Sequence, residues 1–292
     1  MEKGTLLKRY GGFYYVLSQN NEIYESTYRG RHRLTQEDIY PGDYVEFKIN
    51  DEGKGIIEGV LPRKNLITKP SVANITQLVC VAAFKNPNPN LYLLDRLLAI
   101  GEMNRLKIII CFNKRDLVSH DQAERILEAY RGLGYGIIVT SAKQNIGIVE
   151  LETELSNNIS VLAGQSGVGK SSLLNGIQPG LNLKVADISE KLKSGRHTTR
   201  SVELIKLSKG GLVADTPGFS RLDISGISAE KIGFLFPEFL PHRENCRFST
   251  CTHSSEPSCA VIDALNRGEI NKDRYTSYLA ILEEVKNEEG GY

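Results

Sequence analysis

The sequence predicts a multi-domain fold: an N-terminal all-β barrel, a central α/β domain and a C-terminal, mainly α region. Three observations predict it. Short stretches rich in Tyr, Phe, Val and Ile, separated by Gly, Asn and Asp, fill residues 4–60. From about Thr76 apolar strands alternate with helix-spaced segments, the pattern of an α/β domain with a mainly parallel sheet. After Ser220 short helices surround a polar segment that carries three of the five cysteines.

The first section contains strand candidates at Gly4 to Arg9, Phe13 to Ser18, Ile23 to Tyr28, Tyr44 to Ile49 and Gly55 to Val60, the strand count of an OB-type barrel. Tyr40-Pro41-Gly42-Asp43 reads as a turn entering the fourth strand. Arg29, Arg31, His32 and Arg33 cluster in the loop after the third, where they either meet phosphates or form a solvated basic loop. In the second section the strands are expected at Leu78 to Phe84, Lys107 to Phe112, Gly136 to Thr140, Ile159 to Ala163, Val202 to Leu207 and Gly211 to Asp215. Leu91 to Asn104 and Gln122 to Gly132 carry helical Leu/Ile spacing, with Ser119 as an N-cap. Ile270 to Asn287 reads as a packed amphipathic helix with Leu279, Leu282 and Val285 on one face.

Composition narrows the function classes. With 36 Lys+Arg against 35 Asp+Glu the net charge is +1, which excludes a strongly basic coat or an acidic tail, so any nucleic-acid contact must be local. Glu2, Lys3, Lys8 and Arg9 interrupt what would be a signal-peptide core, and no run of 18 apolar residues occurs, so a cytoplasmic, reducing location is expected. An odd cysteine count fits metal ligation better than a disulfide framework. Cys80 and Cys111 sit in apolar runs and read as small buried hydrophobes.

Gly164-Gln165-Ser166-Gly167-Val168-Gly169-Lys170-Ser171, followed by Ser172, matches G-x-x-x-x-G-K-[ST] between a strand and a helix. The glycines let successive N–H groups turn toward phosphate oxygens, with the helix N-terminus adding positive potential. Lys170 would then reach the β and γ phosphates and Ser171 would ligate Mg²⁺. Asn113-Lys114-Arg115-Asp116 follows the Lys107 to Phe112 strand, at the carboxyl end where α/β sheets bind ligands. A carboxylate such as Asp116 accepts two hydrogen bonds from guanine, its ring N–H and its amino group, and adenine offers no such pair. Two charge-assisted bonds of about 1.5–3 kcal/mol each discriminate by several decades. Asn113 would bridge to neighbouring loops and the Lys114 stem would lie on the base. Ser141-Ala142-Lys143, again just past a strand, fits backbone N–H contacts to the guanine carbonyl. Singly, either motif could be an ordinary polar loop; with the phosphate loop they describe a guanine-nucleotide site.

Asp215-Thr-Pro-Gly218 ends an apolar strand, as a Mg²⁺-water aspartate and a γ-phosphate-sensing glycine should. Gly195-Arg-His197-Thr198-Thr199-Arg200 offers threonine hydroxyls to Mg²⁺, Thr199 being favoured over Thr198. Cys246, Cys251, His253 and Cys259 supply three thiolates and one imidazole, the complement of a closed structural Zn²⁺ site, with free thiols as the alternative. Arg243, Arg247 and His242 flank it, either touching RNA phosphates or solvating the loop.

The order of these motifs is unusual, because base recognition precedes the phosphate loop. In this, with the barrel in front and the Cys/His segment behind, the chain resembles the circularly permuted ribosome small subunit-dependent GTPase A family over essentially its whole length. The resemblance implies an OB-fold RNA-binding domain over 1–68, a permuted GTPase domain over 69–222 and a zinc-binding helical domain over 223–292. It also implies a protein that hydrolyses GTP slowly and acts in late maturation of the small (30S) ribosomal subunit, which stimulates turnover; the chain is expected to be a monomer. After D-x-x-G many GTPases carry a glutamine that orients water, whereas this chain has Phe219. His197 is the candidate replacement, matched in the family's first-switch motif, a solvent-exposed loop histidine being the alternative. Two rival readings are a phosphoryl-transfer kinase or ATPase, which Asp116 opposes, and a non-catalytic RNA-binding module with a structural nucleotide, which Phe219 favours.

Overall fold

The computed structural model describes residues 1–28, 38–68, 71–181, 183, 202–215, 224 and 226–289, and for Asp215 the backbone only. Arg29, Arg31, His32, Arg33, Lys191 to Arg200 (with His197, Thr198 and Thr199), Gly218 and Phe219 therefore lie outside the described residues. Contacts divide the rest into two compact units, one of residues 1–78, 151–162 and 202–215, the other of 79–150, 163–183 and 224–289.

The first unit opens with β1 (Glu2–Tyr10), β2 (Phe13–Ser18), β3 (Ile23–Tyr28), β4 (Tyr44–Ile49) and β5 (Gly55–Val60), which close a barrel in the order β1-β2-β3-β5-β4. All pairs are antiparallel except β3 with β5. Alternation along β1, β2, β4 and β5 sends Leu6, Val16, Val45, Phe47 and Ile57 inward as a fully buried core. The expected turn at Tyr40 to Asp43 forms, with the Asp43 N–H donating to Tyr40 O and the Tyr40 N–H to Asp43 Oδ2. Gly42 is required there: its φ is +93°, and a Cβ would stand 2.0 Å from Ala73 O. That carbonyl belongs to a small antiparallel hairpin, β6 (Leu66–Thr68) and β7 (Ser71–Ala73), which the sequence pattern does not announce.

Of the α/β strands, the first unit holds β11 (Ile159–Ala163, all but its last residue) beside β13 (Leu212–Asp215), parallel, and β12 (Glu203–Lys206) antiparallel to β13. Lys8 of β1 pairs with Glu203 of β12 at 2.6 Å. The second unit holds the order β10-β9-β8, from β8 (Gln77–Ala83, all but its first two residues), β9 (Lys107–Asn113) and β10 (Gly136–Val139), with β9 and β10 parallel. β8 is buried throughout and β9 everywhere but Lys107, which is why both read as continuous apolar runs.

Helix α1 (Leu91–Met103) starts at Asn90, whose side chain accepts from the Leu93 N–H. α2 (His120–Glu128) starts at Ser119 with a full capping box to Gln122. It stops short of the expected Gly132, because Tyr130 leaves the helix to bury its ring and donate to Asp95 at 3.0 Å. α3 (Ile148–Leu155) and α4 (Lys170–Ile177) follow, then the short α5 (Ala229–Ile232), α6 (Leu240–Arg243) and α7 (Ala260–Asn266), and the long α8 (Lys272–Glu289). Among the described residues no helix is long and apolar enough to cross a membrane.

Candidate active site and metal centre

β11 delivers the chain into the glycine loop and α4 begins at its end, so the loop occupies a strand-to-helix turn. Its three glycines all have positive φ: Gly164 +149°, Gly167 +80° and Gly169 +102°. Close approach adds to this demand, since a Cβ on Gly164 would lie 2.0 Å from Val81 O and one on Gly169 would lie 2.3 Å from Asn113 Nδ2. Val168 is buried while Ser166 and Gly167 are exposed. The Lys170 ammonium donates to the carbonyls of Gly164 (2.8 Å) and Gln165 (3.0 Å), and burial lowers its pKa. Ser171 and Ser172 sit in the first turn of α4, beside the unpaired N–H groups of a helix start.

Asn113 joins three loops. Its Nδ2 donates to Val168 O (2.9 Å), and its Oδ1 accepts from the Ala142 N–H (3.2 Å) and Thr140 Oγ1 (3.2 Å). The strand-end base motif, the Ser141 loop and the phosphate loop therefore meet at one buried amide. Lys114, in the left-handed region at φ +62°, sends its ammonium across to Gly167 O (2.6 Å) and to Asn86 O. Asp116 Oδ1 accepts from Ser141 Oγ at 2.5 Å, which fixes the carboxylate plane that would face a base. Arg115 turns back onto its own loop, donating to Val118 O at 2.7 Å, and Lys143 is exposed.

The structure thus brings together Asn113, Lys114, Asp116, Ser141, Ala142 and the Gly164–Lys170 loop within one unit. Asp215 ends β13 in the other unit. Two contributors escape the motif reading, Thr140 and the Asn86 carbonyl. Asn86 leaves no sequence signal, because a backbone oxygen does the work.

Cys246, Cys251, His253 and Cys259 converge, with their ligand atoms all within 4.8 Å of one another. Cys246 Sγ lies 3.9 Å from Cys259 Sγ, and His253 Nδ1 lies 3.6 and 3.4 Å from those two sulfurs. A tetrahedral site with metal–sulfur bonds of about 2.3 Å and metal–nitrogen bonds of about 2.05 Å has edges of about 3.8 and 3.5 Å, so the donor set fits a four-coordinate cation. Burial pushes the Cys251 thiol up to about 12 and also raises Cys259, and it lowers the pKa of His253. A buried cation is the natural charge partner for thiolates in such a place.

The RsgA GTPase family model matches residues 60–225 and the RsgA N-terminal domain model residues 3–57. The protein named Small ribosomal subunit biogenesis GTPase RsgA from Moorella thermoacetica is 48% identical over 97% of both chains. Its namesake from Caldanaerobacter subterraneus subsp. tengcongensis is 43% identical over 98% of this chain and 97% of its own. Among solved structures, YjeQ from Thermotoga maritima superimposes with a TM-score of 0.86 at 40% identity, covering 97% of this chain and 98% of that one. YloQ, described as a circularly permuted GTPase, gives 0.83 at 35% identity, covering 98% and 95%. The motif order, the site geometry and these matches agree: the chain belongs to the RsgA family of circularly permuted GTPases.

Proposed function

We propose that this GTPase works in the biogenesis of the small ribosomal subunit, in the cytoplasm and as a monomer, binding the 30S particle and its rRNA in a manner that depends on GTP or GDP. The observation that carries the nucleotide assignment is the Asn113 amide, which locks the Asp116 and Ser141 loops to the phosphate loop. Asp116 reads the guanine edge, the Ser141-Ala142-Lys143 loop offers a backbone N–H to its carbonyl, and the Lys114 stem lies against the ring. Asn113, Arg115, Ala142 and Gly164–Ser172 complete the pocket, with Lys170 on the β and γ phosphates.

Mg²⁺ accompanies the nucleotide and neutralises charge developing on the phosphate oxygens. Ser171, Thr199 and Asp215 offer the hard oxygen donors that such an ion takes, and Gly218 senses the γ-phosphate. Phe219 cannot hydrogen-bond water, so intrinsic hydrolysis is slow, and His197 orients or deprotonates the attacking water. One structural Zn²⁺ on Cys246, Cys251, His253 and Cys259 supplies fold stability rather than chemistry, the four protein ligands leaving no open position.

We assign RNA contact to the barrel, residues 1–68, beside a GTPase domain over 69–222 and a zinc-binding domain over 223–292. Exposed Tyr10 and Phe13, with Arg9 over the Tyr14 ring, supply the stacking that unpaired RNA bases accept and the charge that their phosphates accept. The test is GTP turnover with and without purified small subunits at several salt concentrations. Turnover should rise with subunits, fall back as salt rises, and lose the stimulated part in His197→Ala while nucleotide binding persists. Turnover indifferent to subunits would remove the ribosomal role, and a fully stimulated His197→Ala would remove that residue from the mechanism.

A further inference from the structure

Two of the four cluster residues, Cys251 and His253, belong to a turn held by groups that are not themselves ligands. Glu256 Oε1 accepts from the Thr252 N–H (2.7 Å) and Thr252 Oγ1 (2.6 Å). Its Oε2 accepts from the N–H groups of Ser254 (2.9 Å) and Ser255 (3.1 Å). From α8, the Tyr275 hydroxyl donates to His253 O at 2.8 Å and the Tyr278 hydroxyl donates to Thr252 O. One carboxylate thus collects the donors of the turn while two tyrosines hold its carbonyls.

His253 has particular need of this support. Its φ of +51° lies in the left-handed region that a side-chain-bearing residue occupies at a cost, so the surroundings must over-determine it. A metal-bound imidazole is ordinarily aimed by an acceptor on its second ring nitrogen. Here Nε2 is buried with no hydrogen-bond partner among the described residues. The ring is boxed by packing instead, edge-on to Phe239 and against Gly233, where a Cβ would stand 2.9 Å from His253 Cδ2.

We infer that Glu256 is a positioning residue of the metal centre: its carboxylate presets the backbone of the Cys251–His253 turn so that thiolate and imidazole converge on the cation. It does through the backbone what an acceptor on the second ring nitrogen does in other sites. This rests on the reading of the Cys₃His cluster as a metal site. Burial alone would raise the Glu256 carboxyl, but hydrogen bonds from Thr252 and Ser254 outweigh it and hold the group at about 2, so the acceptor is ionised at working pH.

The test uses the full chain as wild type, Glu256→Ala and Glu256→Gln, titrated with Zn²⁺ against a chromogenic chelator and with Co²⁺ for its absorption spectrum, with GTP binding as the measure of intact folding. Wild type should bind one ion with a tetrahedral thiolate spectrum. Glu256→Ala should lose about 10–100-fold in Zn²⁺ affinity and show an altered cobalt spectrum, with GTP affinity unchanged, and Glu256→Gln should fall between. A wild type that binds no metal overturns the metal reading itself. A wild type that binds, with Glu256→Ala within twofold of it, overturns the role of Glu256 alone. Should Glu256→Ala lose GTP binding as well, Glu256→Gln decides: several-fold weaker metal binding supports the role, and wild-type affinity overturns it.

Discussion

Gly169 answers two demands at once. Its φ of +102° favours glycine, and an added Cβ would fall 2.3 Å from Asn113 Nδ2, the atom that ties the base loop to the phosphate loop. Gly169→Ala must therefore strain the backbone and displace the Asn113 amide. We expect it to weaken GTP binding by about 100-fold, the worth of about two hydrogen bonds, while lowering fold stability by only about 1–3 kcal/mol. Titration with a fluorescent guanine nucleotide, alongside denaturant unfolding, separates the two effects. Gly180→Ala is the control, since nothing lies within 4 Å of a Cβ there. Equal GTP affinity in Gly169→Ala and the control would show that the loop tolerates what its geometry forbids.

At the scale of elements, the contact between α1 and α8 is organised by a buried ion network. Arg274, 1% exposed, donates to Asp95 of α1 at 2.7 Å and forks onto Glu238 at 2.8 and 3.0 Å, while Tyr130 also donates to Asp95. Burial still raises the Asp95 carboxyl pKa against the pull of Arg274. Arg274→Met would leave two carboxylates out of water with no cation, so we expect it to cost about 3–5 kcal/mol in denaturant unfolding, with part recovered when Asp95 is made Asn in the same chain. A cost under 1 kcal/mol would mean that water reaches the network. Sequence periodicity foresaw α8 but not this: it put Leu279 on the packed face, where that residue is only half-buried, and had no means of placing an arginine inside. Arg274 meets partners 36 and 179 residues away, and no local pattern encodes such a meeting. The strands were legible for the opposite reason, since β8 and β9 are apolar along nearly their whole length. The three-residue strands of the β6–β7 hairpin were too short to show a period. The Asn113–Asp116 and Gly164–Lys170 loops declared themselves because glycine, lysine and carboxylate spacings are local, whereas Glu256 accepts from backbone N–H groups and leaves no motif.

Across the whole molecule, stability comes from separate sources, and metal removal should distinguish them. The barrel core is made by its own strands, from Leu6, Val16, Val45, Phe47 and Ile57. Helix α8 is tied to α1 by Arg274 and again by Glu284, which pairs with Arg96 at 2.9 Å and accepts from the Tyr92 hydroxyl at 2.8 Å. The 246–259 segment has mainly the Cys₃His cluster that could hold a cation, the Glu256 bonds and the two tyrosine hydroxyls, against an apparent zinc contribution of up to about 10–16 kcal/mol in small metal-held domains. A strong chelator should therefore release that segment without melting what α1 and the barrel hold. In hydrogen exchange with the chelator present, amides of 246–259 should lose protection by at least about tenfold, those of α8 should change less, and those of β1, β2 and β4 should not change. Loss of protection in the barrel strands would show that the cation supports the fold as a whole. Undiminished protection in 246–259 would show that hydrogen bonds to Glu256, Tyr275 and Tyr278 hold the turn without it.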